Sequence, residues 1–146
     1  MTPVTRLSTI SAGLADAFQR APEANRKRAT AFACEYAVKA SVLSGREIEE
    51  GLDVLRASKP ASRELAVELD RLVSQLDDAY LSLADAPDER SRKESMVRFS
   101  RARAASALTI ALAGDQANLH EAIYEAVASV EDPSELLRLV REALGE

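Results

Sequence analysis

The chain has 146 residues, 47% of hydrophobic type and 29% charged, with a formal net charge of −5, one cysteine, one histidine and no tryptophan. That length is one domain's worth, 1–146, and the apolar content excludes disordered and collagen-like classes. A lone cysteine forms no intrachain disulfide, and with a single histidine it builds no Cys/His zinc site. No 18-residue apolar run occurs, and the start lacks the basic-then-apolar pattern of a signal peptide. The expectation is a soluble, cytoplasmic protein that neither spans nor binds a membrane and carries no cofactor.

Alanine and leucine dominate, the few glycines and prolines fall between helix-favouring stretches, and no segment reads as a strand. From Val4, the positions Leu7, Ile10, Leu14 and Phe18 form one helical stripe that Pro22 ends. A second helix is expected over 23–43. One of its faces carries Ala29, Phe32, Ala33, Tyr36, Ala40 and Leu43, and the opposite face carries Ala31, Cys34, Val38 and Val42. Such a helix has neighbours on both sides, while Arg26, Lys27 and Arg28 in its first turns are expected in solvent.

Ser44 and Glu47 have the spacing of a capping box, opening a third helix with the stripe Ile48, Leu52 and Leu55. After Pro60, the helix over 61–84 carries Leu65, Leu69, Leu72, Leu76 and Leu83, a short heptad-like run that fits antiparallel bundle packing. Asp85, Ala86, Pro87 and Asp88 make the connecting loop. Ser91 and Glu94 repeat the capping-box spacing ahead of a helix over 91–113, apolar nearly all round from Ala104 and stopped by Gly114. Asp115 caps a sixth helix with the stripe Leu119, Ile123, Ala126 or Val127, and Val130. Asp132, Pro133, Ser134 and Glu135 start a seventh, with Leu136, Val140 and Leu144 inward. The fold expected is all-α: a compact irregular or orthogonal bundle of about seven helices, those at 23–43 and 91–113 being central.

Charge is unevenly distributed. Residues 1–60 net +2, 61–89 net −6, 90–103 net +5 and 104–146 net −6. The basic block Arg90, Arg92, Lys93, Arg98, Arg101 and Arg103 either pairs with carboxylates of neighbouring helices or forms a patch for an anionic partner. Arg92 and Arg103 share the side of Met96, Phe99 and Ile110, so Arg103 is expected half-buried with a carboxylate partner, for which Glu35 is the candidate.

Signatures of chemistry are sparse. His120, with Tyr124 and Glu125, is the one polar group that an enzyme reading has to work with. Cys34 sits in an apolar run and reads as a buried inert thiol. Ala117 stands three residues before His120, so the Glu-x-x-His spacing of di-metal bundles is missing, as are glycine-rich phosphate loops and HExxH. The helix-turn-helix-like stretch 43–72 offers Arg63 and Arg71 against Glu64, Glu68 and Asp70, which repels phosphate and argues against nucleic acid. No catalytic activity and no metal site are expected.

The stretch SRARAASALTIALAGD from Ser100, with EAIYEAVASVEDPSELLRLVRE from Glu121, resembles a class of small acidic all-helical bacterial proteins that includes toxin-neutralising immunity proteins. The resemblance is one of size, acidity and helical texture, and no motif residue carries over from it. It implies a non-enzymatic module that docks on a basic partner protein and occludes its cleft, charge complementarity mainly speeding association. On density and position, the surface for such a partner is Glu47, Glu50, Asp53, Asp77, Asp78, Asp85 and Asp88. The competing expectation is a homo-oligomeric structural or regulatory module using the leucine stripe of 61–84. A monomer is the expected state unless that stripe exceeds what one core can cover.

Overall fold

The computed structural model describes residues 4–85 and 87–146. Ala86, placed in the connecting loop above, lies outside the described residues. Those residues form eight α-helices and one short 3-10 turn, with no strand among them. In chain order the helices are α1 (Arg6–Ile10), α2 (Ala12–Arg20), α3 (Glu23–Ala40), α4 (Arg46–Arg56), α5 (Arg63–Leu81), α6 (Glu89–Ala113), α7 (Leu119–Ala128) and α8 (Ser134–Ala143). None of the described helices is long and apolar enough to cross a membrane.

The all-helical bundle is as the sequence implies, with shifts at several ends. The first expected helix is two, because Ser11 leaves helical geometry (φ −156°) and turns its hydroxyl to accept from the Leu14 amide. Leu7, Leu14 and Phe18 still reach the core, while Ile10, beside the break, is exposed. The second helix stops at Ala40 rather than Leu43. Val42 takes a left-handed conformation (φ 55°), and the Leu43 amide donates back to the Val38 carbonyl at 3.0 Å, so Leu43 folds into the core behind a Schellman turn.

Neither expected capping box forms. Gly45, at φ 140°, precedes α4 without a side-chain cap, a conformation that glycine adopts without strain. Asp88, not Ser91, caps α6. Asp115 caps the 3-10 turn Gln116–Asn118 instead of α7. Asp132 does bond the Ser134 amide as expected, with α8 starting one residue later than the proline suggests. Gly114 ends α6 in the left-handed region (φ 71°).

α3 and α6 are central, and α7 joins them. α7 packs on both and also on α1, while α8 closes the far side of α3. Small residues allow this: Ala29, Ala33 and Ala37 of α3, Ala104, Ala107 and Ala111 of α6, and Ala122 and Ala126 of α7 are all buried. α4 crosses α6 at Gly51, where a Cβ would sit only 3.1 Å from Leu108 Cδ2 and 3.2 Å from Leu112 Cδ1.

α5 is different. It packs chiefly on α6, with a smaller contact to α4, and only Leu65 and Leu69 near its start are buried. Along α6, the buried residues are Ser95 and then Ala102 onward. The end of α5 and the start of α6 therefore form an antiparallel arm that the rest of the protein leaves largely uncovered.

Candidate protein-binding surface

The arm is held by a half-covered seam. Leu72, Val73 and Leu76 still touch the main apolar cluster, whereas Tyr80 and Phe99 lie beyond it and pair with each other, ring centroids 5.2 Å apart. Leu81 and Met96 are 64% and 63% exposed, and Val97 is exposed as well. Helical register puts Leu81 and Met96 on the same side of the arm as Asp77, Arg92 and Arg103. On the other side, Arg98 donates to the Ala79 carbonyl at 2.8 Å and Arg101 to the Ser41 carbonyl at 3.3 Å, two cross-links that pin α6 to α5 and to the end of α3.

An ion-pair network fastens the root of the arm. Arg103 is half-buried, as expected, but its partner is not Glu35. Its guanidinium donates to both oxygens of Glu125 (3.1 and 3.0 Å) and to Asp77 Oδ1 (2.8 Å). Glu125, only 4% exposed, also accepts from Arg6 at 3.3 Å. Arg6 bonds Glu121 as well, chiefly a side-chain hydrogen bond that raises the guanidinium's pKa, and lies 4.3 Å over the Tyr124 ring. Glu35 pairs instead with Arg56 of α4. Both are geometric consequences of α7, rather than α3, facing the Arg103 side of α6.

The seven carboxylates expected to form one acidic surface are divided. Glu50 pairs with Arg46, which also holds Glu68; Asp53 pairs with Arg56; Asp77 is bound to Arg103; and Glu47 lies near enough to Arg46 to stabilise its charge. Asp88 is committed to the cap of α6. The Ser91 backbone amide and then its hydroxyl hydrogen-bond the carboxylate and hold its pKa below the usual aspartate range. Asp78 and Asp85 remain exposed and without an ion pair among the described residues.

The basic block is divided too. Arg98 and Arg101 are used structurally, Arg103 is in the network, and Lys93 pairs with Glu89. Arg90 and Arg92 are exposed with no ion pair among the described residues, so the arm carries free charge of both signs.

The His120, Tyr124 and Glu125 group does not converge. His120 Nε2 is 3.3 Å from Glu121, Tyr124 lies under Arg6, and Glu125 is enclosed by two arginines. Cys34 is fully buried, and burial pushes its thiol up to about 12, which leaves it protonated and unreactive at neutral pH. Sequence reasoning missed Glu125 as a buried group. The available signal was its position between Ala122, Ile123, Ala126 and Val127, all of them core residues.

Comparison with known proteins adds no relative: no family model, no curated protein and no solved structure matches the chain.

Proposed function

We propose that this is a non-enzymatic protein-binding module whose docking element is the α5–α6 arm, and that the arm's occupant is a second copy of the chain. The observation that carries this reading is the exposure of Leu81 and Met96 on an arm whose own seam is incompletely covered. Apolar residues grouped on a projecting element mark interaction sites more often than scattered ones do. Charge favours a self-pairing. In a two-fold interface each contact occurs twice with roles exchanged, so Asp78 of one arm against Arg92 of the other is repeated symmetrically. Two arms side by side give a four-helix arrangement in which Leu81 and Met96 gain the cover that one chain lacks.

Light scattering on the full chain at increasing concentration tests this. The expected mass is twice 15.8 kDa, falling to the single value in the double variant Leu81→Ser, Met96→Ser with helicity unchanged, because both residues are exposed in the monomer. A single-chain mass at all concentrations overturns the pairing.

A second reading rests on Asp78 and Asp85, the two expected acidic residues left free: an immunity-type module that binds and occludes a basic partner protein. It requires a salt-sensitive complex that the Asp78→Lys, Asp85→Lys variant loses while the Leu81→Ser, Met96→Ser variant keeps it.

A further inference from the structure

The outer face of α3 carries a side chain that the fold leaves without cover. Phe32 belongs to the same apolar face as Ala29 and Ala33, which are fully buried, yet it is 46% exposed. It stands between two open clefts and lines both, one of about 820 Å³ towards the end of α4 and one of about 570 Å³ towards α8. Leu55 lines the first, and Tyr36 and Leu139 line the second, all three half-buried. No residue of the arm contributes to either cleft. A scattered exposed apolar residue is ordinary, whereas an exposed aromatic ring continuous with apolar clefts on both sides has the form of an interaction site.

Charge decides what fits there. Every carboxylate that lines the clefts is neutralised within the chain: Glu23 by Lys27, Glu35 by Arg56 and Glu142 by Arg138. Two cations are left over. Arg28 borders both clefts and donates to Asn25 at 2.8 Å, and Lys39 borders the second; both are exposed, and neither has an ion pair among the described residues. In a chain of net charge −5, the unpaired charge on this face is therefore positive only. Arg28 lies one helical turn before Phe32 and Lys39 two turns after it, about 16 Å apart along the axis. Two cations around an aromatic ridge match a peptide with carboxylates at the same separation. A nucleic-acid backbone is held by many cations at once.

We propose that this face of α3 docks an acidic amphipathic helix of a partner protein. The helix lies along α3, its apolar side chains entering the clefts on either side of Phe32 and a carboxylate near each end meeting Arg28 and Lys39. Phe32 supplies the desolvated centre of the contact, and the two charges at its rim fix the register and speed association. Because the clefts use no residue of the arm, the chain holds this partner whether or not its arm is paired.

The test is fluorescence anisotropy with a labelled synthetic helical peptide of about 18 residues, or five turns, with leucines on one face and glutamates in its first and last turns. Two control peptides have the same composition in scrambled order and lysine in place of glutamate. The full chain is expected to bind the acidic amphipathic peptide saturably, less tightly as salt rises, and to bind either control at least tenfold more weakly. Phe32→Ser is expected to weaken binding at least tenfold with helicity unchanged, because the ring is already exposed. The double variant Arg28→Glu, Lys39→Glu, at exposed positions, is expected to do the same and serves if the serine variant fails to fold. Leu81→Ser, Met96→Ser is expected to leave the affinity unchanged. No saturable binding, equal binding of either control, or unchanged affinity in Phe32→Ser overturns the proposal. So does loss of a dimer in Phe32→Ser, which makes the occupant a second copy, and so does binding to phosphatidylserine vesicles in place of the peptide, which makes it an anionic membrane.

Discussion

Residues 102–111 and 89–101 belong to one unbroken helix in two settings. The later stretch buries Ala102, Ala104, Ala105, Ala107, Leu108 and Ala111 among α3, α4 and α7, whereas the earlier stretch buries Ser95 alone and rests on α5. Local sequence explains the continuity, since both halves consist of helix formers and Asp88 and Gly114 mark the two ends. Tertiary packing explains the difference. In the globule, alanines let three helices approach closely. On the arm, long side chains such as Arg90, Arg92, Lys93 and Met96 hold the surface open. An element with few buried contacts has low local stability, which is a property that docking elements commonly share.

Two leucines of α5 measure that contrast within one stripe. Leu69 is 1% exposed and embedded in the core, while Leu76, two turns on, is only partly covered. Leu69→Ala is expected to cost about 4 kcal/mol, near the upper part of the range for a buried leucine, and Leu76→Ala about 1 kcal/mol. Urea denaturation at low protein concentration, where the chain is single, measures both. Equal losses would mean that the arm is as well packed as the globule, removing the basis for treating it as a separate element.

The helices were legible because their periodicity and punctuation are local properties. Pro22, Pro60, Gly114 and the Asp132–Glu135 segment separate stripes that any chain of L-residues would coil in the same way. The placement of Arg103 opposite a carboxylate was also legible, since its side of α6 is apolar. Its partner was not. Glu35 and Glu125 are equivalent in sequence terms, and only the choice of which helix faces Arg103 separates them.

The arm was illegible for a related reason: Leu65, Leu69, Leu72 and Leu76 have one spacing, and spacing does not record where cover ends. The acidic surface failed as a continuous patch because Arg46 and Arg56, one helical turn or less from their partners Glu50 and Asp53, neutralise the carboxylates of α4. Such pairs, at spacings of four and three residues, are countable from sequence.

The joint between globule and arm can be broken at Glu125. Its carboxylate neutralises Arg103 and Arg6 together, and Glu125→Ala leaves Arg103 with Asp77 alone. Removing one partner of a buried pair costs about 3–5 kcal/mol, and the retained Asp77 puts this variant at the lower end, about 3 kcal/mol. Glu125→Gln keeps the shape and one acceptor, and is expected to lose less. Chemical denaturation of both variants orders them. If Glu125→Ala were neutral, the arm would be held to the globule by apolar contact and the Arg101–Ser41 bond rather than by the ion-pair network.

The smallest expected effect is at the start of the arm. In the folded chain the Asp88 carboxylate accepts from the Ser91 amide at 2.6 Å and from its hydroxyl at 3.0 Å, and these bonds lower its pKa. A depressed carboxylate contributes stability that is complete above its unfolded value, about 3.9 for aspartate, and is lost as pH falls through the lower folded value. Asparagine caps a helix about as well without titrating. Asp88→Asn is therefore expected to leave the fold at neutral pH nearly unchanged and to flatten the acid transition of the first turn of α6. Backbone chemical shifts of residues 89–92, followed from neutral pH down past the aspartate range in both proteins, isolate the effect from carboxylates elsewhere. A matching acid transition in the two would show that the Asp88 cap does not set the acid stability of the arm's first turn.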